Sequence, residues 1–247
     1  MSSLLLNIRR GSNPFYRRVR RCAHAVLRLH LPVPRLLRPV LRAIFHTRRS
    51  VLLAFRHARA ILYVTPLFSS RCESAGRGVF VFAMPTVKGH TRIHLGENVQ
   101  ILGKIGIASG RVFDEPTLRI GDGVVIGHEV RFSVNREVCV DDGVFIADRV
   151  TITDNDGHPH HPDLRVRLEP PAMADIKPVR ICRQAWIGQG AHIRKGVTIG
   201  EAAIVAVNSV VLNDVPAHCL ALGVPARVIG NVIKDAGRPT VSPCLSD

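Results

Sequence analysis

From Ile181 onward an aliphatic residue returns at every sixth position: Ile181, Ile187, Ile193, Ile199, Val205 and Val211. Four places after each stands a small or aliphatic residue: Ala185, Ala191, Val197, Ala203, Ser209 and Val215. The same frame runs earlier through Ile120, Ile126 and Phe132, then through Val140, Ile146 and Ile152, and more weakly through Leu95, Ile101 and Ile107. Glycine often follows the aliphatic position, as at Gly96, Gly121, Gly127, Gly188 and Gly200. An α-helix does not fit, because glycine recurs too often and the spacing departs from 3.6. An extended chain does, since residues two apart share a side. Each unit is then one short strand plus a turn, with the same face inward every time. Three units close a triangular coil, and coils stack about 4.8 Å apart with parallel backbone pairing. The pattern therefore predicts a mainly β protein, a parallel β-helix whose prism is filled by aliphatic side chains.

The N-terminal third follows a different period. Asn13-Pro14 reads as an N-cap followed by a first-turn proline. Phe15, Val19, Cys22, Val26 and Leu29 recur at helical spacing, with Arg17, Arg21 and Arg28 on another face. Pro32 and Pro34 should end that helix. Apolar residues return at Leu36-Leu37, Val40-Leu41, Ile44-Phe45 and from Val51 to Val64, interleaved with Arg48, Arg49, Arg56 and Arg59. Two or three amphipathic helices are expected up to about Tyr63. No apolar run reaches the ~18 residues of a membrane-spanning helix, and Met1 to Arg10 lacks the order of a secretory signal.

Composition sharpens this division. The 247 residues suffice for a large core, and 46% apolar with 21% charged reads as globular. Aromatics at 5% suit a prism of Val, Ile, Leu and Ala. The net charge of +15 is carried by residues 1–72, which hold 15 arginines, no lysine and no acid. The rest of the chain sums to zero. We divide the chain into an arginine-rich amphipathic helical region (1–75), a repeat domain (76–230) with a loop at 153–178, and a C-terminal tail (231–247). An acid-free amphipathic arm suits an anionic membrane surface. Helices packed on the body, a nucleic-acid arm and a transit peptide are the other uses. Alternation of Leu, Phe and Ile with arginine favours membrane over nucleic acid, so no nucleic-acid partner is expected. Six cysteines without a C-x-x-C pair fit reduced thiols, and the expected location is cytoplasmic, peripheral on the inner face of the cell membrane.

The frame stops after Ile152 and resumes near Val179, leaving a polar, proline- and histidine-rich loop. A break of that length in a regular solenoid points to function. The repeat Ile-Gly-x-x-Val/Ala-x resembles that of the hexapeptide-repeat acyltransferases, whose fold is a left-handed parallel β-helix. The stretch GHPHHPDLR from Gly157 to Arg165 is similar to the His-Pro loop of galactoside and maltose O-acetyltransferases. Pro178-Val179, Trp186-Ile187-Gly188, Asn208-Ser209-Val210-Val211 and the run from Gly223 to Ile229 resemble the re-entry and closing signatures of that family. The Asp154-x-Asp156-x-His158 form is similar to that of acetyltransferases acting on capsule and lipopolysaccharide sugars.

The resemblance implies an O-acetyltransferase that moves an acetyl group from acetyl-CoA to a sugar hydroxyl of a surface polysaccharide, a lipopolysaccharide or a precursor. It implies direct attack in a ternary complex, and a homotrimer with sites between adjacent prisms. His158 is the candidate general base, since histidine titrates near the working pH. Asp156 or Asp154 would orient its imidazole, as carboxylates do in triads, or serve as turn formers. Ala147, Gln189, Val207 and Arg227 match the family's coenzyme A positions, although a smaller residue usually stands where Val207 is. Asn135, from a neighbouring subunit, and Arg165 and Trp186 are candidate acceptor contacts. No metal is expected: His160 and His161 are adjacent and point apart, and the His-x4-His spacing of a β-helical carbonic anhydrase is absent. Rival readings are an acyltransferase with a different acceptor, serine or an amino sugar, and a non-enzymatic membrane-binding scaffold.

Overall fold

The computed structural model describes residues 6–7, 10, 13–27, 33–235 and 238–242. They divide into two compact units, which meet in the chain between Leu52 and Leu53. In the second unit the chain winds repeatedly through three sheets. The first holds Ser74–Ala75, Arg92–Leu95, Thr117–Ile120, Glu137–Val140, Val179–Ile181 and Thr198–Ile199. The second begins with Phe80–Val81, Gln100–Ile101, Val125–Ile126, Phe145–Ile146, Trp186–Ile187 and Ile204–Val205. The third holds Thr86–Lys88, Gly106–Ala108, Arg131–Ser133, Thr151–Thr153, His192–Ile193 and Val210–Val211. Pairing among all these strands is parallel, and the six-residue frame is its register. Ile120, Val140, Ile181 and Ile199 align in the first sheet. Ile126, Ile146, Ile187 and Val205 align in the second, and Phe132, Ile152, Ile193 and Val211 in the third. All twelve are buried.

The turns explain the glycines. A Cβ at Gly200 would lie 2.4 Å from the backbone nitrogen of Ala217 in the next coil, so close stacking excludes a side chain there. Other corners use the left-handed region, as at Asn208 with φ of 55°, a conformation asparagine tolerates better than most residues.

Helix α1 spans Pro14–Leu27, and the Asn13 side chain accepts the Tyr16 N–H at 2.9 Å as its cap. Arg28, Leu29 and Pro32 lie outside the described residues. Helix α2 spans Arg38–Arg59 and continues through a wider turn at Ala60–Val64 into α3, Thr65–Ser69. Helical structure therefore passes the end expected at Tyr63. The 35-residue helix Arg35–Ser69 is long and apolar enough, by length and composition, to cross a membrane, where the sequence reading expected no such run. Arg56 and Arg59 break the strictly apolar run without lowering the average below that of a spanning segment. Ala60, Val64 and Phe68 are buried, and Val64 and Phe68 join the core at the first coil with Val81 and Ile93. Thr65 Oγ1 accepts the Val81 N–H at 2.9 Å. The second unit therefore takes in residues 53–75, which the sequence assigns to the helical arm.

The expected tail is also structured. Cys219–Gly223 pairs antiparallel with Ala226–Asp235, which pairs in turn with Arg238–Ser242, extending the second sheet past residue 230. Residues 243–247 lie outside the described residues.

Candidate active site

The repeat frame slips each time the chain passes from the third sheet to the first, until the last coils. Slips fall between Val87 and Leu95, Ile107 and Ile120, Phe132 and Val140, and Ile152 and Ile181. The extra residues therefore gather at one corner of the prism. They enclose a cavity of about 530 Å³ lined by Ala108, Ser109, Gly110 and Arg111, by Ser133 and Asn135, by Asn155, Gly157 and His158, and by Leu168 to Pro171.

The long loop is fastened on both sides of His158. Asp154 stands two residues after inward-facing Ile152 and so points the same way. It is fully buried, and its carboxylate accepts the backbone N–H groups of Asn135 at 2.8 Å, Arg136 at 2.6 Å and Glu137 at 2.9 Å. The Asn155 amide donates to Asp154 at 2.7 Å and to Ser133 Oγ at 3.1 Å, while its oxygen accepts the Gly157 N–H at 2.8 Å. Gly157, with φ of 81°, then turns the chain and delivers His158 to the cavity wall. Asp156 accepts hydrogen bonds from Arg194 and Lys195 on a later coil, and pairs with His160 at 2.9 Å. Burial opposes its ionisation, but the hydrogen bonds from Lys195 and His160 and the charges of Lys195 and Arg194 outweigh it and hold the carboxyl below the usual range. Beyond His158, Arg165 donates to the carbonyls of Pro159 at 3.1 Å and His160 at 2.6 Å.

These contacts correct two expected roles, and the structure places two further candidates. Neither aspartate orients the His158 imidazole: Asp154 is occupied by backbone amides and Asp156 by Arg194, Lys195 and His160. Arg165 braces the loop from within, and its guanidinium is committed to carbonyls. Trp186 sits on the outer face of the second sheet, in register with Phe145 and Ile204, and is not part of the cavity wall. Asn135, expected from a neighbouring subunit, lines the same cavity as His158 within one chain.

Ala147, Gln189 and Val207 occupy the turns after Ile146, Ile187 and Val205, where the second sheet passes to the third. They share one corner, and it is not the corner of His158. Arg227 is exposed on the Ala226–Asp235 strand, with Nη1 donating to the Ala226 carbonyl at 3.0 Å. His161 Nδ1 accepts the Asp163 N–H at 3.3 Å and caps the short helix Pro162–Val166. Among the described residues no cluster of His, Cys, Asp and Glu could hold a metal ion. Burial pushes the Cys72 and Cys139 thiols up to about 11, so neither is a ready nucleophile at neutral pH.

Ser133, Asn155 and the Ser109–Arg111 wall were not singled out from the sequence. Their signal is in the frame itself, because the slips before Ile120 and Val140 fall at the same step of the coil as the long loop.

No family model matches the chain. Galactoside O-acetyltransferase of Escherichia coli is 34% identical over 142 residues, which is 58% of this chain and 55% of that protein. A probable acetyltransferase of Mycobacterium tuberculosis is 32% identical over 157 residues, 63% of this chain and 49% of that one. The chain thus spans about half the length of these curated relatives. Among solved structures, AntD, an N-acyltransferase from Bacillus cereus in complex with dTDP and coenzyme A, superposes with a TM-score of 0.53 at 19% identity, covering 68% of this chain and 88% of that one. The fold is accordingly the left-handed parallel β-helix of hexapeptide repeats, and the curated proteins this chain resembles are acetyltransferases.

Proposed function

We propose that the chain is an acetyl-CoA-dependent O-acetyltransferase acting on a sugar hydroxyl, with His158 as general base. The observation that carries this reading is the cavity, where an exposed histidine on a doubly fastened loop faces Ser133, Asn135 and Asn155. Hydroxyl and amide groups that both donate and accept suit an acceptor with several hydroxyls. The acceptor oxygen attacks the thioester carbon while His158 takes its proton. The new C–O bond forms, the C–S bond breaks, and the imidazolium returns the proton to the departing thiolate. The Asp-x-Asp-x-His resemblance supports a surface polysaccharide, a lipopolysaccharide or a precursor as acceptor.

The donor side of this reading is the corner of Ala147, Gln189 and Val207, with Arg227 set to meet a nucleotide phosphate. Two corners of one prism form one site only if copies pack corner to corner, which supports a trimer with shared sites. An apolar ladder on the outer face of the second sheet, Val125, Phe145, Trp186, Ile204 and Leu220, also supports association. The first sheet carries His94, Arg119, Cys139, Arg180 and Thr198 at the equivalent positions. The test is thiol release from acetyl-CoA against saccharides, serine and amino sugars. Turnover with saccharides is expected. Turnover confined to serine or amines overturns the acceptor class, and absence of acetyl-CoA binding by calorimetry overturns the enzyme.

A further inference from the structure

We propose that helix α2 docks in the plane of an anionic lipid surface and holds the chain there peripherally. Val40, Ile44, Val51 and Phe55 recur along it at intervals of four and seven, which keeps them on one side. All four are exposed. Arg38, Arg42 and Arg49 stand two residues before Val40, Ile44 and Val51 and so on the opposite side, since a step of two residues turns a helix by roughly 200°. No acid lies anywhere in residues 1–72 to neutralise these arginines. An unpartnered apolar stripe backed by uncompensated cations is complementary to a headgroup layer, where the stripe enters the acyl boundary and the guanidinium groups reach phosphates.

The same helix does not suit a transverse seat, although helix Arg35–Ser69 has the length for it. Arg56 and Arg59 fall inside its apolar stretch, where hydrocarbon strongly disfavours charge. Its last turns are committed elsewhere, with Ala60, Val64 and Phe68 buried at the end of the prism. A nucleic-acid arm would use the arginines but leave the apolar stripe in water.

The experiment is flotation of the full chain with vesicles of phosphatidylcholine, alone or mixed with phosphatidylglycerol, at low and raised salt. Binding is expected with the anionic vesicles, in part surviving salt. Replacing Arg38, Arg42 and Arg49 by Glu should weaken it about tenfold or more. Replacing Val40, Ile44 and Val51 by Ser should leave only binding that salt abolishes. All six positions are exposed, so unchanged melting curves are expected for both variants. A Phe55→Trp chain should show a blue-shifted emission with anionic vesicles that wild type, with Trp186 alone, does not. A full chain that ignores anionic vesicles overturns the proposal. So does bound protein that resists alkaline extraction, which marks a spanning helix, or binding that a DNA duplex displaces with a steep salt dependence.

Discussion

The buried carboxylate of Asp154 accepts the backbone N–H of Asn135 at 2.8 Å, joining the start of the long loop to the wall of the cavity. Two further amides, those of Arg136 and Glu137, depend on the same oxygens. Asp154→Ala removes the acceptor of all three, and each buried amide left unpaired costs about 1–3 kcal/mol. The melting temperature should fall by more than the ~2–4 °C that corresponds to 1 kcal/mol in a chain of this size. Asp154→Asn keeps one acceptor oxygen and should lose less than the alanine variant. An unaltered melt for the alanine variant would show that the carboxylate does not hold this corner.

His158→Ala should lower kcat/KM by about 10²–10⁴-fold, the usual contribution of a general base, while acetyl-CoA affinity by calorimetry stays at the wild-type value. His160→Ala and His161→Ala should do much less, because one imidazole pairs with Asp156 and the other caps a helix. Activity of the His158 variant within a few-fold of wild type would remove it from the role of base.

The prism was legible in the sequence because one physical rule, aliphatic inward at a fixed step, sets both the period and the strand register. Ile199→Asp tests that rule directly. The residue is fully buried between Ile181 and Val215, and a charge there should cost several kcal/mol and unfold the stack. A correctly assembled variant with unchanged stability would break the register. The loop was harder to read, because no period governs it. Sequence proximity proposed Asp156 as partner of His158, but Arg194 and Lys195, remote in sequence, hold it through the stacking of coils. The helical boundary was missed for a related reason, since burial of Val64 and Phe68 is decided by the open end of the prism.

Asp156 gives the fold an acid-sensitive fastening. Its carboxyl is depressed by Lys195, His160 and Arg194, so the stabilisation is fully present above the ordinary carboxylate pKa of about 3.9 and is lost as pH falls through the lowered value. Asp156→Asn should flatten the loss of thermal stability below about pH 4, and at neutral pH should lower kcat with little change in KM for acetyl-CoA. Parallel acid-melting curves for wild type and variant would contradict this.

The proposed sharing of sites between copies predicts complementation between inactive variants. Val207→Trp should fill the donor corner, and His158→Ala should disable the other. Co-expressed, the two should regain activity, since random assortment leaves roughly a quarter of shared sites intact. No recovery in mixed oligomers would mean that donor and base act within one copy.

The slips gathered at one corner have a consequence for how such a protein can change. Backbone pairing along the three sheets joins residues of successive coils, and the inserted residues stand outside that ladder. Lengthening or replacing a corner insert therefore adds a closure cost that grows only with the logarithm of its length, about 0.6 kcal/mol per doubling. The cavity wall made by Ser109 to Arg111 and Leu168 to Pro171 can be rebuilt while Ile146, Ile187 and Val205 stay in line. Change in these wall segments is thereby separated from the register of the prism, and a lineage can reshape the cavity by editing loops while the stacked coils stay as they are.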